Sequence, residues 1–269
     1  MRRPRAILAA ALLGSILAAP AAAETVHLTY VVYFGILPAL DVATSIESGG
    51  GRYRVEAKVV PQSWISWAIP WTATSEATGR LGEKGAVLPE RYLSAATWGT
   101  HRRQTSLEFA ADGTLKTTIE PPKVEEGREP VSGELLKNVL DPVSAVAAML
   151  GAARIDGEGC ADRLPVFDGR RRFDIRAERQ PDATMAPVRY SAYAGPAVVC
   201  QLHFKSVAGG YRDGERSRFW QTDKPGAERP PIELWLAPPR EGALPVPVYV
   251  AGKSILGWVT AYLAKVSYD

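Results

Sequence analysis

The chain has 269 residues, 46% hydrophobic and 23% charged, with a formal net charge of +3. That length and apolar content supply a core that needs neither a structural metal nor dense disulfides. Three of the 32 basic residues, Arg2, Arg3 and Arg5, precede Glu24 with no acid among them; the 29 left then face 29 acidic residues, which excludes a global attraction to nucleic acid.

The first 23 residues read as a signal peptide. The three arginines form a positive n-region, Ala6 to Ala19 is an uninterrupted small and apolar run, and Pro20 breaks it. Ala21-Ala22-Ala23 then offers the small-x-small pattern that a signal peptidase reads. The apolar run is shorter than the roughly 20 residues of a bilayer span, and no Cys near the cut suggests a lipid anchor. The expectation is cleavage after Ala23 and export, into the periplasm where the host is Gram-negative, with no transmembrane span in the mature chain. A retained N-terminal anchor is the alternative. Residues 24–269 are expected to form a single β-rich domain, with a break near Pro121 to Pro130 as the alternative.

Period-two alternation dominates that region. Tyr53, Val55, Ala57 and Val59 alternate with Arg52, Arg54, Glu56 and Lys58. Leu115, Thr117 and Ile119 alternate with Lys116, Thr118 and Glu120. Phe173, Ile175 and Ala177 alternate with Arg172, Asp174, Arg176 and Glu178, and Val198, Cys200, Leu202 and Phe204 with Gln201, His203 and Lys205. Strands of this kind bury one face and wet the other, as antiparallel sheets do. Turn chemistry separates them at Gly49-Gly50-Gly51, Asp112-Gly113 and Gly209-Gly210. A dozen or more strands are expected.

One segment departs from this pattern. Asp141 reads as an N-cap and Pro142 as the first helical residue, with Val143, Val146, Ala147 and Leu150 at helical spacing and Gly151 as the stop. A second short helical turn is expected at Ser63 to Ala68. Pro-rich stretches at Pro121 to Pro130 and Thr222 to Pro231 read as long loops. The fold expected is mainly β: a strongly curved antiparallel sheet, half-barrel or barrel-like, with one short packed helix and a Trp-rich short helical segment.

Cys160 and Cys200 suit an oxidising compartment and would close a loop of about 41 residues if paired, worth roughly 4 kcal/mol. Two separate buried thiols are the alternative. CxxC spacing is absent, which argues against a redox-active pair.

Catalytic signatures are missing. The chain has no G-x-S-x-G and no H-E-x-x-H, and His27, His101 and His203 stand apart from any companion at metal-ligand spacing. No metal, cofactor or catalytic set is assigned. Gly252-Lys253-Ser254 mimics the tail of a phosphate loop, but Pro247 replaces the required earlier glycine. Two features point to ligands instead. Trp64, Trp67, Ala68 and Trp71 fall at i, i+3, i+4 and i+7, a large apolar area in one connection. Buried, this segment would be a lid over the sheet's open end, the favoured reading; exposed, it would grip a membrane surface or a hydrophobic ligand. Arg170, Arg171 and Arg172 follow the Asp168-Gly169 turn and suit a carboxylate or phosphate, or else pair with acids such as Asp174.

Several segments together resemble one family. They include Tyr53-Arg54-Val55, Pro70-Trp71, Leu88-Pro89-Glu90-Arg91-Tyr92 and Gly127-Arg128-Glu129-Pro130-Val131. Leu140-Asp141-Pro142-Val143-Ser144-Ala145 and Leu164-Pro165-Val166-Phe167-Asp168-Gly169-Arg170-Arg171-Arg172 follow. Gly195-Pro196-Ala197-Val198-Val199-Cys200, Leu234-Trp235-Leu236-Ala237 and Pro245-Val246-Pro247-Val248 complete the set. Nearly the whole mature chain is similar to the exported bacterial proteins grouped as DUF3108. The resemblance implies a secreted β-rich domain and carries no catalytic residues. A looser likeness, at fold level and without a shared motif, is to lipoprotein carriers of the LolA type.

The leading functional expectation is a non-enzymatic binding module for a hydrophobic or amphipathic cell-envelope ligand. The curved sheet, capped by the helix at Pro142 to Leu150 and by the segment carrying Trp64, Trp67 and Trp71, would hold it, and Arg170, Arg171 or Arg172 would meet its acidic head group. A structural or partner-binding envelope protein with a filled core is the alternative, with Trp235 or Tyr249 in contact. A third reading is an envelope-polymer hydrolase using Asp141, Asp168, Asp174 and Ser144, for which the sequence shows no base beside Ser144.

Overall fold

A computed structural model describes residues 24–68, 70–121, 128–155, 160–161, 163–210, 229–254 and 257–269. The expected signal peptide lies outside the described residues, as do most of the stretch from Pro121 to Pro130 and residues 222–228 of the second Pro-rich stretch.

The first seven strands are β1 (Glu24–Phe34), β2 (Leu37–Gly49), β3 (Arg52–Pro61), β4 (Trp71–Leu81), β5 (Val87–Trp98), β6 (His101–Phe109) and β7 (Leu115–Glu120). Helix α1 (Pro142–Ile155) follows. Then come β8 (Leu164–Phe167), β9 (Arg172–Met185), β10 (Gly195–Ala208), β11 (Ile232–Ala237), β12 (Val246–Ser254) and β13 (Gly257–Tyr268). All thirteen strands belong to one sheet, ordered β7-β6-β5-β4-β3-β2-β1-β13-β12-β11-β10-β9-β8, and every pair is antiparallel. The chain thus walks from the centre to one edge. It crosses to the other edge through α1 and walks back until β13 pairs with β1.

Register explains the core. Val26, Ile46, Val55, Ala77, Tyr92 and Leu107 are direct cross-strand partners in series from β1 to β6, and all six are buried. Each large apolar side chain in such a row, withdrawn from water, contributes roughly 1.5–3 kcal/mol. Arg52, Arg54, Glu56 and Lys58 take the opposite face of β3 and stay exposed, so one face is core and the other is wet.

The sheet curls without closing; its edges β7 and β8 are not partners. The turn between β8 and β9 nevertheless reaches β6, because a Cβ on Gly169 would lie 2.4 Å from Thr105 Cγ2. Gly169 has φ +95°, so the turn and the close approach both demand glycine here. The Cys160–Cys200 disulfide is formed, with Cα atoms 5.8 Å apart, and fastens the chain after α1 to the inner face of β10.

Two local expectations change. The helix does not stop at Gly151 but runs to Ile155. Gly151 faces the 3-10 turn Glu83–Gly85, where its added Cβ would lie 3.4 Å from the Gly85 carbonyl oxygen. The glycine serves a close helix–loop approach, so it does not end the helix. The segment from Ser63 to Ala68 forms successive turns, with Ile65 and Ala68 amides donating to the Gln62 and Ile65 carbonyls.

Candidate functional site

Helix α1 crosses the inner face of the sheet, against β3, β4, β5 and β8. Its sequence, Pro-Val-Ser-Ala-Val-Ala-Ala-Met-Leu-Gly-Ala-Ala-Arg-Ile, has five Ala and one Gly among fourteen residues and no aromatic side chain. Such short side chains cannot fill the trough that a curled sheet makes, and a cavity of about 480 Å³ remains between them. Its floor is the centre of the sheet: Leu28, Tyr30, Val42, Ile46 and Val55, with Val250 and Ala261 from the returning half. Val146, Ala147, Leu150 and Gly151 of α1 form the roof, and Leu244 and Pro247 one wall. Thr44, Ser48 and Tyr53 bring the polar groups. The volume lies within the roughly 300–1,000 Å³ of small-molecule sites, and the lining is apolar as in such sites.

A buried polar chain fixes the roof. Asp141 caps α1: its Oδ1 accepts the amides of Val143 at 3.0 Å and Ser144 at 2.9 Å. The Ser144 hydroxyl donates to Asp141 Oδ2, and the Tyr53 hydroxyl sits 2.7 Å from Ser144 Oγ, donating to it. Burial pushes the Asp141 carboxyl up to about 6, against the hydrogen bonds from Ser144 and Val143 that pull it down. Burial also pushes the Tyr53 phenol upward. Asp141 and Ser144 are wholly buried, so this serine meets a carboxylate as a helix cap and not in an open cleft.

The residues singled out from the sequence lie elsewhere. Trp64 is 48% exposed and Trp67 84% exposed, so the segment is not a buried lid. It occupies the connection between β3 and β4. The Trp64 indole donates to the Pro38 carbonyl at 2.8 Å, and that of Trp67 to the Trp64 carbonyl at 3.0 Å. Trp71, half-buried, is the direct cross-strand partner of Trp98. The inner face nevertheless runs unbroken from the cavity to this pair. Val42 on the floor is followed by Val59, Ala73 and Ala96 in register, and Trp71 and Trp98 lie one alternation further on.

The arginines do not converge on the cavity. Asp168 Oδ1 accepts the amides of Arg170 and Arg171, and its Oδ2 accepts Arg171 Nε at 2.9 Å. Arg172 is buried, with Nη1 2.8 Å from Asp174 Oδ1 and Nε donating to the Leu135 carbonyl. Arg163 meets the other oxygen of Asp174 at 2.6 Å. Burial would raise the Asp174 carboxyl, but these two guanidinium groups outweigh it and hold the group low. In a wider cleft over β9 and β10, Arg163 pairs with Asp174, and Arg176 and His203 approach Glu178 at 3.5 and 3.6 Å.

The cavity itself was not announced by any motif. The signal that carries it is the run of Ala and Gly in α1 opposite alternating strands. Among the described residues no group of three or more His, Cys, Asp and Glu stands together as a metal site. No described helix is long and apolar enough to cross a membrane.

No curated protein matches the chain. The family model DUF3108, described as a protein of unknown function, matches residues 29–250, which takes in the whole of α1 and every residue named above as lining the cavity except Leu28 and Ala261. A match over that much of the sequence places the chain in the DUF3108 family.

Proposed function

We propose that the protein is a non-enzymatic binding module for a hydrophobic or amphipathic ligand of the cell envelope. On this reading it is exported after cleavage following Ala23. One observation carries the proposal: an apolar cavity of about 480 Å³ beneath a helix too slender to fill it. The apolar part of the ligand lies along Leu28, Val42 and Val55, and its polar end meets Thr44, Ser48 or the Tyr53 edge. Desolvation of an apolar chain in such a site supplies about 25 cal/mol per Å² buried. The half-buried track through Val59, Ala73 and Ala96 gives a second apolar contact outside the cavity.

The test is a fluorescent hydrophobic probe, N-phenyl-1-naphthylamine, titrated into the full chain. The native protein is expected to bind it, and Ala147→Phe, which projects a ring into the cavity, to weaken binding at least about tenfold while the protein stays folded. Equal binding by native and Ala147→Phe protein, or no binding by either, contradicts the proposal.

A further inference from the structure

Among the described residues, six of the eleven exposed large hydrophobic side chains, including the four most exposed, gather in one place. Ile36 (89% exposed), Trp67 (84%), Trp258 (60%) and Trp98 (50%), together with Leu37 and Trp64, all sit at one end of the sheet. They lie in the β1–β2 and β3–β4 connections or at the strand ends that flank the β1–β2, β5–β6 and β12–β13 connections, which are neighbours along the sheet. These join eight adjacent strands, a width of about 34 Å at the usual strand spacing.

Hydrogen bonds lace the four connections into one rim. The Gly35 amide donates to the Trp258 carbonyl at 2.9 Å, and the Gly99 amide to the Pro70 carbonyl at 2.9 Å. The Trp64 indole joins the β3–β4 connection to Pro38 at the start of β2. Monomeric soluble proteins seldom gather so much exposed tryptophan in one place without a surface to meet.

Charge along the rim has one sign. The stretches 31–40, 59–74, 95–105 and 248–261 contain no Asp or Glu, in a chain with 29 acidic residues. The charged residues they do contain are Arg102, Arg103 and Lys253, with His101 beside them. Tryptophan suits the boundary between head groups and acyl chains, and Arg and Lys are drawn to anionic lipid. The carboxylate bordering this rim, Asp41, is engaged by Gln62 Nε2 at 2.6 Å, and a rim rich in tryptophan and cations therefore complements an anionic bilayer surface.

We propose that this rim docks the protein on the surface of a bilayer containing anionic lipid, without spanning it. The rim contains Trp98 and adjoins Trp71, where the inner-face track from the cavity ends, so docking sets that track against the lipid. The docking stands on exposure and charge and does not require the cavity to hold a ligand.

Vesicle flotation of the full chain tests it, with phosphatidylcholine vesicles and with vesicles carrying about 30% phosphatidylglycerol. The native protein is expected to float with the anionic vesicles and to be released as salt rises. Trp67→Ala with Trp98→Ala is expected to cut binding at least tenfold. Arg102→Glu with Lys253→Glu should cut it more than about twentyfold, since each cation near an anionic surface contributes about a fivefold change. Leu88→Ala, an exposed apolar residue at the opposite end of the sheet, should leave binding unchanged and serves as the folded control. Failure of the native chain to float with either vesicle overturns the proposal and assigns the rim to a protein partner. An equal loss in Leu88→Ala overturns it as well.

Discussion

The Tyr53 hydroxyl lies 2.7 Å from the Ser144 hydroxyl, and this contact ties β3 to the first turn of the only α-helix among the described residues. Ser144 passes the bond on to Asp141, which caps that helix. The cavity therefore has a roof held by a buried polar chain at one end and by apolar contacts along its length. A neutral hydrogen bond contributes about 1 kcal/mol net, but each member left unpaired in the interior costs about 1–3 kcal/mol. The roof is fixed most strongly where Tyr53, Ser144 and Asp141 meet.

The Asp141 carboxyl gives the fold a pH dependence of unusual sign. Its value is raised from 3.8 to about 6 in the folded protein by burial. Between those values the folded state holds a proton that the unfolded state has lost, so the contribution of this group falls as pH rises from about 4 to about 6. Two units correspond to about 3 kcal/mol. Urea unfolding at pH 4, 5, 6 and 7 should show this fall, and Asp141→Asn, which retains a capping oxygen, should flatten it. Asp174 acts in the other direction: its carboxyl is held low, and its contribution is lost only as pH falls below the ordinary carboxylate range.

Gly79 should not tolerate a side chain. A Cβ there would lie 2.3 Å from the Leu88 carbonyl oxygen and 2.7 Å from the Tyr53 ring, so Gly79→Ala must displace either β5 or the tyrosine that holds the helix. A loss of about 2–3 kcal/mol is expected in chemical denaturation. Gly133→Ala has no atom within 4 Å of the new Cβ and should change stability by less than about 0.5 kcal/mol.

Removing the disulfide by Cys160→Ser with Cys200→Ser should cost about 4 kcal/mol, because the bond closes a loop with a sequence separation of 40. Denaturation of the double variant beside the native chain, each without reductant, measures this directly.

Much of the sheet was legible from alternation. Tyr53 and Val55 are buried while Arg52, Arg54 and Glu56 are exposed, as their spacing required. Asp112-Gly113 forms the turn between β6 and β7, with the Thr114 amide donating to the Asp112 carboxylate. The start of the helix at Asp141 and Pro142 was legible too, since capping is local chemistry. Its end was not, because Gly151 answers to a loop distant in sequence. Arg172 and Asp174 fell on the expected polar face of β9 yet are buried, since each neutralises the other where the turn folds back on the sheet. The tryptophans were misleading for a related reason. Helical spacing shows which side chains share a face, and only the structure shows that Trp64 and Trp67 stay exposed among the described residues. A space under a helix-capped curved sheet could be expected from the sequence, but not which residues line it. It is space left between strands far apart in sequence and a helix whose residues are too small to fill it.

Whether that space is occupied is the central claim. The most direct measurement is native mass spectrometry of the full chain purified from the cells that make it, followed by organic extraction. A reproducible bound lipid or amphiphile, absent from Ala147→Phe protein prepared in the same way, is the expected result. Protein at its bare mass, differing from the sequence only by removal of a leader and by the two hydrogens of the disulfide, would contradict the account.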